Sequence, residues 1–189
     1  MRTDSNEAEE VLRKVRQITD FICNTKKYCL LIPEVRTNVA VALPNATTLE
    51  EIAGVDGRIT IVQGMPKCAG PIIFGATNHT GRLVLTAKQF DPNISAVTNI
   101  RYSPELIEKL LKTDLSLAEI DRMDQSLKTS QIEDSSMSWI IKNIFEQKQK
   151  IPDIIWDIGE LGKEPMIRLF AISADELLEK IKKILKFVD

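Results

Sequence analysis

One histidine, His79, occurs in this chain of 189 residues, and its setting makes it the first place to look for chemistry. It lies in Ile73-Phe74-Gly75-Ala76-Thr77-Asn78-His79-Thr80-Gly81-Arg82, where a strand-like run ends at Gly75 and a helix is predicted to follow. Backbone N–H groups and the dipole at a helix start favour an anion such as phosphate. A histidine in that first turn would donate a hydrogen bond or act as a base. It could equally cap or pack locally, and position alone leaves both roles open.

A second stretch is Asp157-Ile158-Gly159-Glu160-Leu161-Gly162-Lys163-Glu164-Pro165-Met166-Ile167-Arg168. Gly162-Lys163 invites comparison with a phosphate-binding P-loop, but no glycine stands five residues earlier and Glu164 replaces the required Ser or Thr. What remains is a tight turn presenting Lys163, with Arg168 on the strand after it. The two could clamp phosphate oxygens, Arg as a fork and Lys as a point charge, or form a solvated turn with a surface ion pair. In a third stretch, Asn99-Ile100-Arg101, alternation sets Asn99 and Arg101 on one face. The fourth, Ile32 to Asn38, is a connection between apolar runs whose spacing specifies no chemistry.

Several chemistries are excluded. One histidine cannot build a multi-histidine metal site, and Cys23, Cys29 and Cys68 lack zinc-cluster spacing. They read as free thiols of a reducing compartment. There is no Gly-x-Ser-x-Gly elbow and no Gly-rich dinucleotide fingerprint. The 25 basic residues nearly balance 27 acidic ones, which argues against nucleic-acid binding by bulk charge. With no apolar leader at Met1 to Glu7 and no membrane-length apolar run, a soluble cytoplasmic protein is expected.

The elements that would position these residues alternate along the chain. Val11, Leu12, Val15, Ile18 and Ile22 predict a helix over 7–24. Residues 28–32 and 39–43 read as strands, Thr47 to Glu51 as the start of a short helix ending by Gly54, and 58–62 as a strand. Helices are predicted from Thr77 or Asn78, from Ser103-Pro104, over 138–149 and after Ser173. Strands are predicted over 117–120, 154–158 and 166–170. Residues 124–136 are too polar to pack and read as a mobile loop. No repeat or linker interrupts this order, so a single α/β domain over 1–189 is expected, with helices covering one sheet.

Leu31 to Asn38, Phe74 to His79, Phe90-Asp91-Pro92, Asn99 to Ser103, Pro152 to Asp157 and Gly162 to Arg168, in this order, resemble the ThiN family. The likeness runs from about residue 28 to the C-terminus. It departs at Ser138-Trp139-Ile140, where a glycine is expected after the tryptophan.

The resemblance implies a three-layer α/β/α sandwich with a mixed sheet, similar to the class II aldolases but without their histidine-bound metal. It implies a transferase that joins hydroxymethylpyrimidine diphosphate to hydroxyethylthiazole phosphate, giving thiamine phosphate and pyrophosphate, with magnesium accompanying the diphosphate. In the family's synthases an arginine and a histidine at such a spacing are associated with activity, and Arg58 and His79 fit. Asn38, Asn99, Arg101, Lys163 and Arg168 are then expected to bind substrates. Fusion behind a hydroxymethylpyrimidine kinase domain and a homodimer are further expectations. The alternative is a non-catalytic domain that senses thiamine phosphates within a transcriptional regulator. A more distant one is an aldolase-like sugar-phosphate enzyme.

Overall fold

The computed structural model describes residues 5–121 and 133–188, with the backbone alone over 133–137. Seven strands form one sheet: β1 (Val39–Ala42), β2 (Ile52–Val55), β5 (Ile72–Phe74), β6 (Ala96–Arg101), β7 (Leu117–Glu119), β8 (Ile154–Asp157) and β9 (Met166–Ala171). Their order is β5-β2-β1-β6-β9-β8-β7, antiparallel except for the parallel β7–β8 pair. β1 and β9 are buried throughout, as strands covered on both faces must be.

The covering helices sort by the apolar residues they share. On one face α1 (Ser5–Cys23), α3 (Pro104–Leu110) and α5 (Ala174–Ile184) pack Ile18, Leu110 and Ile181 against Val39, Val41 and Ile167. On the other, α2 (His79–Phe90) and α4 (Glu133–Lys148) pack Leu83, Val84, Ile140 and Ile144 against Ala40, Val97, Ile155 and Phe170. Alternation along each strand feeds the two cores in turn. The result is the expected α/β/α sandwich with a mixed sheet.

Several elements differ from expectation. Residues 26–31 form a 3₁₀ helix, not a strand: Tyr28 and Leu31 are buried three apart while Leu30 between them is exposed. The short helix after Thr48 is a single 3₁₀ turn, Leu49–Glu51, and the chain passes at once into β2 with Gly54 inside the strand. Strands β3 (Ile59–Val62) and β4 (Met65–Cys68) form a separate ribbon turning at Gln63 and Gly64, both in the left-handed region. β4 was not foreseen, because Met65-Pro66-Lys67-Cys68 lacks a β-branched pattern.

The ribbon lies beside α1, where the Cys23 and Cys68 sulfurs approach to 3.7 Å as free thiols. Of the loop expected over 124–136, positions 133–136 are instead the first turn of α4, and the rest falls outside the described residues.

Candidate active site

The antiparallel order brings the start of β1, the end of β6, the start of β9 and the end of β8 to one end of the sheet. Val97, Ile155 and Phe170 face α2 and α4, so Asn99, Arg101, Asp157 and Arg168, each an even number of residues away, face that side too. Helix α2 covers this face and delivers the chain to the far end of β6. Its first turn therefore lies toward the end that carries Asn99 and Arg101.

Contacts confirm that placement. A Cβ built on Gly54 would stand 1.9 Å from Thr77 Cγ2 and 2.7 Å from the Val39 carbonyl, so only glycine lets the start of α2 settle on β2. Asn78 occupies the N-cap position, but its side chain caps no N–H group; its Oδ1 accepts from Arg82 Nε at 2.7 Å. His79, half-buried, is the first helical residue. Thr77 is buried, and its Oγ1 has no hydrogen-bond partner among the described residues.

The connection before β1 is held at nearly every backbone group. Glu164 accepts from the Glu34 N–H at 2.8 Å and the Val35 N–H at 3.0 Å, while Arg58 Nη1 donates to the Val35 carbonyl at 2.5 Å. Asn99 Nδ2 donates to the Arg36 carbonyl at 2.9 Å, and Asn99 Oδ1 accepts from the Asn38 N–H at 2.9 Å. Thr37 exchanges both its backbone bonds with Ile59. The Asn38 amide bonds both backbone groups of Val55, at 3.0 and 3.1 Å, and so prolongs the β1–β2 ladder. Arg36 and Arg58 flank this pairing with φ of 70° and 73°, a region that costs a side-chain-bearing residue energy.

The cations differ in their commitments. Arg168 and Asp157 form a buried ion pair at 2.6 Å, with side-chain exposures of 4% and 1%. Asp157 also accepts the Gly159 N–H at 2.9 Å, starting the turn that leads to β9. In that turn Lys163 and Glu160 exchange backbone bonds and pair through their side chains at 2.6 Å. Arg36 and Arg101 are exposed, and their guanidinium groups have no carboxylate partner among the described residues.

Of the seven expected site residues, Asn38, Arg58 and Asn99 thus hold one connection, and Arg101 lies two residues beyond Asn99 on the same face of β6. Lys163 docks on that connection through its neighbour Glu164, Arg168 lies in the sheet below, and His79 approaches on α2. Glu164, Asp157 and Arg36 had no role assigned from sequence. Their significance rests on partners as far as 130 positions away, which no local spacing reveals.

Residues 14–183 match the family described as thiamine-phosphate synthase ThiN. The chain belongs to this family. It is 38% identical over 157 residues to the bifunctional thiamine biosynthesis protein ThiDN of Methanocaldococcus jannaschii, covering 82% of this chain but 36% of that protein. The chain thus spans about a third of the length of that relative. It is 29% identical to the thiamine-phosphate synthase ThiN of Methanothermobacter thermautotrophicus, over 93% of this chain and 92% of that one. Among solved structures, the C-terminal domain of a phosphomethylpyrimidine kinase is 34% identical with a TM-score of 0.81, covering 95% of this chain and 98% of that one. Escherichia coli YgbL, of the aldolase/epimerase/decarboxylase group, has a TM-score of 0.50 at 10% identity, a likeness of fold alone. No helix of this ThiN-family chain is long and apolar enough to cross a membrane among the described residues.

Proposed function

We propose that this chain catalyses thiamine phosphate formation: the bond from the pyrimidine methylene to the diphosphate oxygen breaks, the thiazole nitrogen bonds to that methylene, and pyrophosphate leaves. The observation that carries this reading is the match to the family over residues 14–183, in a chain where Arg58 and Asn99 hold the connection before β1 and His79 opens α2. Arg58 and Arg101 would take the negative charge that builds on the departing diphosphate, where fixed donors are most effective. The first turn of α2, uncapped by Asn78 and carrying His79, would hold the same group. Arg168 acts through its ion pair with Asp157, which aligns β8 and β9, rather than as a free phosphate ligand.

Magnesium enters this reading only with the diphosphate. Among the described residues no cluster of three His, Cys, Asp or Glu could cage a metal. Magnesium readily keeps several waters and binds through substrate phosphates with one or two carboxylates. Bound in this way, it would neutralise part of the diphosphate charge. The ThiDN relative carries its matching segment within a bifunctional protein, which supports a working context beside a pyrimidine kinase.

The test supplies both substrates and magnesium to purified protein and measures thiamine phosphate and pyrophosphate. Equal yields of the two are expected, with large losses in His79→Ala and Arg58→Ala. Binding of thiamine phosphate with no turnover would favour a sensor instead. Full activity of the His79→Ala variant would remove His79 from the mechanism.

A further inference from the structure

We propose that Arg36 is a substrate-binding residue whose guanidinium receives a phosphate or diphosphate group of the substrates. This deepens the synthase reading and rests on it for the identity of the anion.

The argument starts from the backbone. Arg36 sits at φ 70°, where a residue with a Cβ is strained and glycine is not. The strain is sustained from all sides. The Arg36 N–H donates to the Pro33 carbonyl at 2.9 Å and its carbonyl accepts from Asn99 at 2.9 Å. The preceding residue, Val35, is gripped by Glu164 and Arg58, and the following residue is locked into its bridge with Ile59. A turn of this shape would be served better by glycine if only the shape mattered.

The side chain gives no structural return for that cost. It is exposed, and among the described residues its five N–H donors meet no carboxylate. Other cations at this end are already neutralised, Lys163 by Glu160 and Arg168 by Asp157, both at 2.6 Å. Among the described residues, the guanidinium groups of Arg36 and Arg101 meet no carboxylate, and Arg58 gives one Nη1 hydrogen to a carbonyl. Asn99 ties Arg36 to this group directly, since its amide holds the Arg36 carbonyl from two residues before Arg101 on β6. A planar fork held on an over-determined backbone suits bidentate capture of phosphate oxygens.

Arg36→Gly separates the two explanations of this residue, because it removes the guanidinium while relieving the backbone. The probe is inorganic pyrophosphate with magnesium, titrated calorimetrically into wild type, Arg36→Gly and Arg36→Lys. Losing a charge-assisted contact should weaken binding about ten- to a hundredfold in the glycine variant, with a melting temperature equal to or above wild type. The lysine variant should fall between, keeping charge without the fork. Unchanged pyrophosphate affinity in Arg36→Gly, no affinity in wild type, or a lowered melting temperature in the glycine variant would each overturn the assignment. Arg36-dependent pyrophosphate binding without thiamine phosphate production would instead defeat the synthase reading and leave this one standing.

Discussion

Glu164 and Arg58 hold Val35 from its two sides: the carboxylate accepts the Val35 N–H and the guanidinium donates to the Val35 carbonyl. One partner arrives from the turn before β9 and the other from the turn after β2. The connection carrying Arg36 is therefore fixed by two segments far apart in sequence, and it should respond to changes in either.

Glu164→Gln keeps one acceptor and turns an N–H donor toward the second backbone N–H. Hydrogen bonds to charged groups contribute about 1.5–3 kcal/mol, so a loss of about tenfold in kcat/KM is expected along with modest destabilisation. Steady-state kinetics and thermal unfolding check this. An unaffected kcat/KM would show that the turn before β9 does not order the connection.

The Asp157–Arg168 pair is the costly kind to break. Arg168→Leu should lower stability by about 3–5 kcal/mol by leaving a carboxylate buried without its counter-charge. The double variant Asp157→Leu with Arg168→Leu should recover most of that loss in denaturant melts. If the pair aligns the site, activity stays low despite restored stability; recovered activity would reduce the pair to scaffolding.

Gly54→Ala tests how closely α2 must settle. The new methyl would overlap Thr77 and meet the Val39 carbonyl, and overpacking of this kind costs about 1–3 kcal/mol. Because the relief available is a shift of the Thr77–His79 segment, activity should fall further than stability does. A variant destabilised but fully active would place the start of α2 outside the chemistry.

Stability should also depend on Asp153. Burial alone would raise its pKa, but the ion pair with Lys180 at 2.6 Å and the bonds from the Ser116 side chain and backbone outweigh it, leaving the carboxyl below its ordinary 3.8. Its contribution is therefore fully present above the ordinary carboxylate range and is lost as pH falls through the lower folded value. Asp153→Asn should be less stable than wild type by about 2 kcal/mol at neutral pH, with the gap closing in acid as pH falls through the lowered folded value. Urea melts across pH provide the measurement, and a gap independent of pH would point to packing instead.

Much of the fold was legible because its signals are local. Ser103 accepts from the Leu106 N–H and Ser173 from the Glu176 N–H, as their spacing predicted. The reciprocal bond at Ser173 is displaced by one residue, since Glu176 accepts the Ile172 N–H rather than that of Ser173. Tyr28 to Leu31 misled because a short apolar run has no intrinsic period, and its three-residue burial rhythm is set by the core it meets. Within the candidate site, the place of His79 at a helix start was readable, whereas Arg58, expected in a strand over 58–62, lies in the turn before β3 with φ of 73°. What Asn38 and Arg168 do was not readable, since their engagement depends on Val55 and Asp157 on neighbouring strands, while the Lys163–Glu160 pair is the turn ion pair that the spacing offered as an alternative.

The strand order has a consequence for how the molecule comes into being. β1 reaches its partner β6 about sixty positions on, and β6 waits a further seventy for β9. On a ribosome, Arg36 and Arg58 emerge long before Glu164 exists to fix the connection between them. A nascent chain lacking β9 also lacks the Glu164 contacts that order the proposed anion site, so binding competence should appear abruptly and late, with the last strand, rather than grow with length.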